Sequence, residues 1–104
     1  MTKEEQLQKE YQRSRRKLEE QEDEIKKYER QGQQLAEETY SEIRYLVSSI
    51  AENSEPLEMA RTEISRLEEE FRDNLEKEKK KVIYEQEELE QQYRKQLKEI
   101  KEGE

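Results

Sequence analysis

Positions Leu7, Tyr11, Ser14, Leu18, Gln21, Ile25, Tyr28, Gly32, Leu35 and Thr39 follow one another in alternating steps of four and three. That is the a/d spacing of a heptad seam on a long helix. The seam continues through Ile43, Leu46 and Ile50, with two consecutive steps of four at Leu35–Thr39–Ile43, a stutter. A second apolar row, Ala36, Tyr40, Ile43, Val47 and Ile50, widens the apolar arc beyond one seam. A helix with such an arc is covered on two sides. Thr2-Lys-Glu-Glu5 has the form of a capping box at the helix start.

Asn53-Ser-Glu-Pro56 is the one clear interruption. Asn53 suits a left-handed helix end, Ser54 a cap, and Pro56 the first turn of the next helix, where no amide hydrogen is needed. The second helix carries Leu57, Ala60, Ile64, Leu67, Phe71, Leu75, Val82, Leu89, Tyr93 and Ile100, with Lys79, Gln86 and Gln96 filling its seam. Leu67–Phe71–Leu75 is again a stutter. If the turn folds the chain back, Leu35 lies opposite Leu75, Thr39 opposite Phe71 and Ile43 opposite Leu67. The two stutters then fall at one level, which is read as the best evidence in the sequence for an antiparallel hairpin. The same register brings Tyr28 near Val82, Leu18 near Tyr93 and Tyr11 near Ile100. The expectation is an all-α, antiparallel two-helix hairpin of one domain over residues 1–104, coiled-coil-like and completed by partner helices. Helix 1 covers about 3–51, the turn about 52–55 and helix 2 about 56–102.

Composition limits what this hairpin can be. Of 104 residues 28% are hydrophobic and 48% charged, too polar for a globular core and compatible with disorder but for the periodicity. Two helices on a single seam bury little per residue, so the chain is expected to work by packing against another protein. The hairpin seam is read as Leu18, Ile25, Tyr28, Leu35, Leu46, Ala60, Ile64, Leu67, Phe71, Leu75, Val82, Leu89 and Tyr93. Ala36, Tyr40, Ile43, Val47, Ile50 and Met59 form the face left over near the tip, the expected partner interface.

Cysteine and histidine are absent, which removes thiolate sites, the commonest metal ligand and the commonest catalytic base. No glycine-rich phosphate loop or EF-hand loop occurs. No enzyme activity, cofactor or metal is therefore expected. The net charge of −8 argues against nucleic acid. No apolar run approaches a membrane span and the N-terminus lacks a signal-peptide core, so the expectation is a cytoplasmic chain without membrane insertion.

Charge falls in blocks. Arg13, Arg15, Arg16 and Lys17 form one basic cluster and Lys77, Lys79, Lys80 and Lys81 another. In the register above, Glu19, Glu20, Glu22, Asp23 and Glu24 lie level with Glu85, Glu87, Glu88 and Glu90, a band of acids without a base. Such a band is read either as solvated surface or as the landing place of a basic partner or of another copy of the chain in a shifted register.

An acidic hairpin of about 100 residues resembles the small helical proteins of type VII secretion systems in Gram-positive bacteria. The start, Met1-Thr-Lys-Glu-Glu-Gln-Leu7, and the stretch Lys79-Lys-Lys-Val-Ile-Tyr-Glu-Gln-Glu-Glu-Leu-Glu-Gln-Gln-Tyr93 are similar to the LXG-associated α-helical family, relatives of the WXG100 (ESAT-6-like) proteins. The chain departs from WXG100 proteins in having no tryptophan and no Trp-x-Gly turn. The resemblance implies a targeting chaperone that binds the helical domain of a cognate LXG toxin, with or without a second small helical protein, and promotes its export, the chain itself either staying in the cytoplasm or being co-secreted through the type VII system. It also implies an export signal of the form Tyr-x-x-x-Asp/Glu, whose spacing Tyr84 and Glu88 match; the other reading of these two residues is ordinary charged surface. The alternative is a structural coiled-coil protein that self-associates as a homodimeric scaffold or stalk.

Overall fold

A computed structural model describes residues 2–50 and 53–103. Two helices account for nearly all of them: α1 (Lys3–Ile50) and α2 (Glu55–Gly103). The fold is an all-α antiparallel hairpin. Ala51 and Glu52, on which the expected end of helix 1 and start of the turn fall, lie outside the described residues.

Local chemistry explains where the helices begin. The Thr2 hydroxyl accepts from the Glu5 amide at 3.1 Å and the Thr2 carbonyl from the Gln6 amide at 3.1 Å, which makes Thr2 the N-cap of α1. At the start of α2 the Ser54 carbonyl accepts from the Glu58 amide at 3.0 Å. The Asn53 side-chain oxygen accepts from the Glu55 amide at 3.0 Å, and Pro56, with no amide hydrogen to place, follows in the first turn. The expected left-handed Asn53 is not found: no described non-glycine residue has a positive φ. Asn53 serves the turn through its side chain, in an Asx turn. Near the end of α1, Ser48 and Ser49 hydroxyls donate to the carbonyls of Tyr45 and Leu46 at 2.9 and 2.8 Å, a back-bonding that competes with helix continuation.

The chain divides into two compact units, Met1–Ile25 with Glu78–Glu104, and Lys26–Lys77. In the first, the rings of Tyr11 and Tyr93 stack with centroids 4.2 Å apart, and Gln86 Nε2 donates to Glu22 at 3.1 Å. Val82, 5% exposed, is the one buried apolar side chain among the described residues. Leu7, Tyr11, Ser14, Leu18, Glu22 and Ile25 are half-buried on α1, and Leu89, Tyr93, Leu97 and Ile100 on α2. Leu97 takes the place that the heptad count assigned to Gln96, which is exposed. In the second unit Phe71 lies on Gly32: a Cβ built on that glycine would come within 2.8 Å of Phe71 Cδ1. Arg61 stands 5.1 Å from the centre of the Tyr40 ring, within cation–π range.

These contacts correct the register. Tyr11 meets Tyr93 rather than Ile100, and Phe71 meets Gly32 rather than Thr39. Both differ from expectation by seven positions in the same sense. The reason is the heptad itself: a slip of one repeat keeps the same faces opposed, so periodicity alone leaves the register open by multiples of seven. Leu18 is thus not at the level of Tyr93. The stutters at Leu35–Ile43 and Leu67–Leu75 do not coincide, so their agreement is not what supports the hairpin.

Candidate partner-binding groove

The unit Lys26–Lys77 contains a cavity of about 440 Å³ between α1 and α2, lined chiefly by Tyr28, Gly32, Leu35, Ala36, Thr39, Ile64, Leu67, Phe71 and Leu75. Glu29, Glu68 and Arg72 stand among its polar edges. Leu35 is 64% exposed and Leu67 51%, and Tyr28 and Phe71 are exposed as well. Large apolar side chains grouped this way at a surface are characteristic of interaction surfaces, ligand grooves and aggregation-prone patches.

Sequence periodicity assigned the two apolar rows of α1 the other way round. Leu35 and Leu46 were expected in the seam, yet they are exposed, Leu46 by 58%. Ala36, Tyr40, Ile43 and Val47, expected to face a partner, are half-buried within the unit. A helix of 3.6 residues per turn drifts by about 20° per heptad against a strict seven-residue seam. Over several heptads the inward line therefore moves to the next residue, from 35 to 36 and from 46 to 47. Among the other expected interface residues, Ile50 is 82% exposed and Met59 is exposed. Of the expected seam of α2, Ala60, Ile64 and Leu75 are half-buried here, while Leu67 and Phe71 open onto the groove. Leu18, Ile25, Leu89 and Tyr93 are half-buried in the other unit.

The expected acidic band is broken up, with Glu19 and Glu85 its one pair still level. At the level set by the tyrosine stack, Glu87 and Glu88 stand level with Lys17 and Arg16, and Asp23 and Glu24 with Lys81 and Lys80. Within the helices, Arg15 bridges Glu19 at 3.0 Å and Arg94 bridges Glu90 at 2.6 Å. In the other unit Arg66 pairs with Glu63 and with Glu70. The Arg66 guanidinium holds Glu63 below the usual carboxylate range, first by its hydrogen bond and then by its charge. The Tyr84 hydroxyl donates to Glu88 at 3.0 Å. That hydrogen bond, then the carboxylate's charge, raises the phenol above its ordinary value. All of these groups are at the surface, where such pairs contribute little to stability.

Among the described residues, no cluster of His, Cys, Asp or Glu is arranged to hold a metal ion, and no helix is long and apolar enough to cross a membrane. No family model, no curated protein and no solved structure matches the chain.

Proposed function

We propose that this chain is a non-catalytic adaptor that receives a helix of another protein in the groove of Leu35, Leu67 and Phe71. The observation that carries this reading is the exposure of those large apolar side chains around one cavity. An amphipathic helix laid into such a groove gains by burying apolar area, at roughly 25 cal/mol per Å² before the costs of association. The resemblance to LXG-associated proteins supplies the partner class: the helical domain of an LXG toxin, accompanied by up to one further small helical protein. On this reading the chain acts in the cytoplasm of a Gram-positive bacterium as a targeting chaperone for type VII export. Tyr84 and Glu88 are then the export signal, and toxin export should fall with Tyr84→Ala. Unchanged export would remove the signal reading.

Co-expression with an LXG domain tests the adaptor reading. A stable complex is expected on size exclusion with light scattering. A homodimer without affinity for that domain would favour the rival scaffold function.

A further inference from the structure

Tyr28, Leu35, Leu46 and Ile50 are exposed on α1, and with Thr39 they fall within about 60° of one another around the helix. Leu35 to Leu46, and Tyr28 to Thr39 to Ile50, are steps of eleven residues. Eleven residues make close to three full turns, so this apolar row runs nearly straight along α1 for about 33 Å. All of it lies within the unit Lys26–Lys77. Resting on the adaptor reading above, we propose that the helix received in the groove continues along α1 as far as Ile50, and that it belongs to a different chain with Lys or Arg beside its own apolar row.

The two flanks of the row differ. On one side stand Ala36, Tyr40, Ile43 and Val47, half-buried by the hairpin itself. On the other stand Gln31, Glu38, Glu42 and Ser49, all exposed, two acids and no base. The Glu38 carboxylate accepts from the neutral Gln34 side chain at 3.1 Å. Neither Glu38 nor Glu42 forms an ion pair among the described residues. The groove adds Glu29 and Glu68 against the single base Arg72, and Arg66 of α2 is already held by Glu63 and Glu70. The margins of the row thus carry more negative charge than the hairpin balances, and a helix with basic margins complements them. A second copy of this chain fits less well. Two such rows meeting antiparallel about a two-fold axis at Thr39 would bring both copies of Glu38 and Glu42 to one side, within a turn of the axis, where like charges repel. The straight course of the row sets the occupant alongside α1 instead of across it.

Two synthetic helices test the proposal against the full chain, with binding followed by fluorescence anisotropy. Both repeat the spacing of the α1 row in leucine; one carries lysine at the flanking positions and the other glutamate. The lysine helix should saturate, bind at least about tenfold more tightly than the glutamate helix, and weaken as salt is raised. Leu46 and Ile50 are exposed and lie outside the groove lining. Leu46→Asn with Ile50→Asn should weaken the lysine helix about tenfold, with circular dichroism still helical, and Glu38→Gln with Glu42→Gln should weaken it as well. If Leu35→Asn with Leu67→Asn weakens binding and Leu46→Asn with Ile50→Asn does not, the course along α1 is overturned while the groove stands. If neither pair weakens it, the groove reading falls too. Equal binding of the lysine and glutamate helices, or of a lysine helix with its leucines scrambled, would overturn the basic partner, and so would failure of both helices to bind. Light scattering that finds the unaltered chain dimeric and the Leu46→Asn with Ile50→Asn variant monomeric would give the row to a second copy instead.

Discussion

Gly32 shows at the residue scale how a local weakness has a tertiary use. Glycine in a helix interior costs about 1 kcal/mol relative to alanine, which from sequence alone reads as a soft point. The Phe71 ring occupies the space a Cβ would take. Gly32→Ala should thus gain its full propensity only when Phe71 is also truncated. In a double-mutant cycle by urea denaturation, a coupling of about 1 kcal/mol between Gly32→Ala and Phe71→Ala is expected. Additive effects would mean that the ring moves aside freely. A second residue-scale test concerns Tyr84, whose neutral phenol donates to Glu88. The raised phenol pKa means that this contribution is present below the ordinary tyrosine range and is lost as pH rises through the folded value. Glu88→Gln should lower the titration of Tyr84, seen by NMR of the tyrosine ring. The opposite sign holds at Glu63: its contribution is present above its ordinary value of 4.5 and fades as pH falls through the depressed one.

At the scale of the elements, the caps decide where the helices start and the heptads decide which faces meet. Removing the Thr2 hydroxyl by Thr2→Ala should cost about 1 kcal/mol of local helix stability, observed as faster amide exchange at Glu5, whose amide that hydroxyl accepts from. Protection equal to that of the unaltered chain would show that the cap contributes nothing. Helix type and the break at Asn53–Pro56 were legible because alternating steps of four and three and a single proline are strong local signals. The register was not, since Tyr93 and Ile100 are equivalent under a heptad count. The exchange of Leu35 for Ala36 and of Leu46 for Val47 has another origin, the slow drift of an α-helix against a seven-residue repeat. Leu97 was likewise hidden behind Gln96 by holding the heptad strictly. Val47→Asp and Tyr40→Glu would strike half-buried positions and disturb the hairpin as well as any complex. Leu35 and Leu67 are the cleaner probes.

For the molecule as a whole, few of its side chains are removed from water by its own fold. Among the described residues only Val82 is a buried hydrophobic, so each unit rests chiefly on half-buried seams. Small domains with so little core are commonly completed by partners. The groove of the unit Lys26–Lys77 is where completion would bury the most large apolar side chains in one place. The most direct measurement is calorimetric titration of an LXG-domain helix bundle into the unaltered chain and into Leu35→Asp/Leu67→Asp. Saturable binding to the unaltered chain, weakened at least a hundredfold in the variant while circular dichroism keeps its helical signal, is the expected result. Equal affinity for both chains would contradict the groove as the binding site.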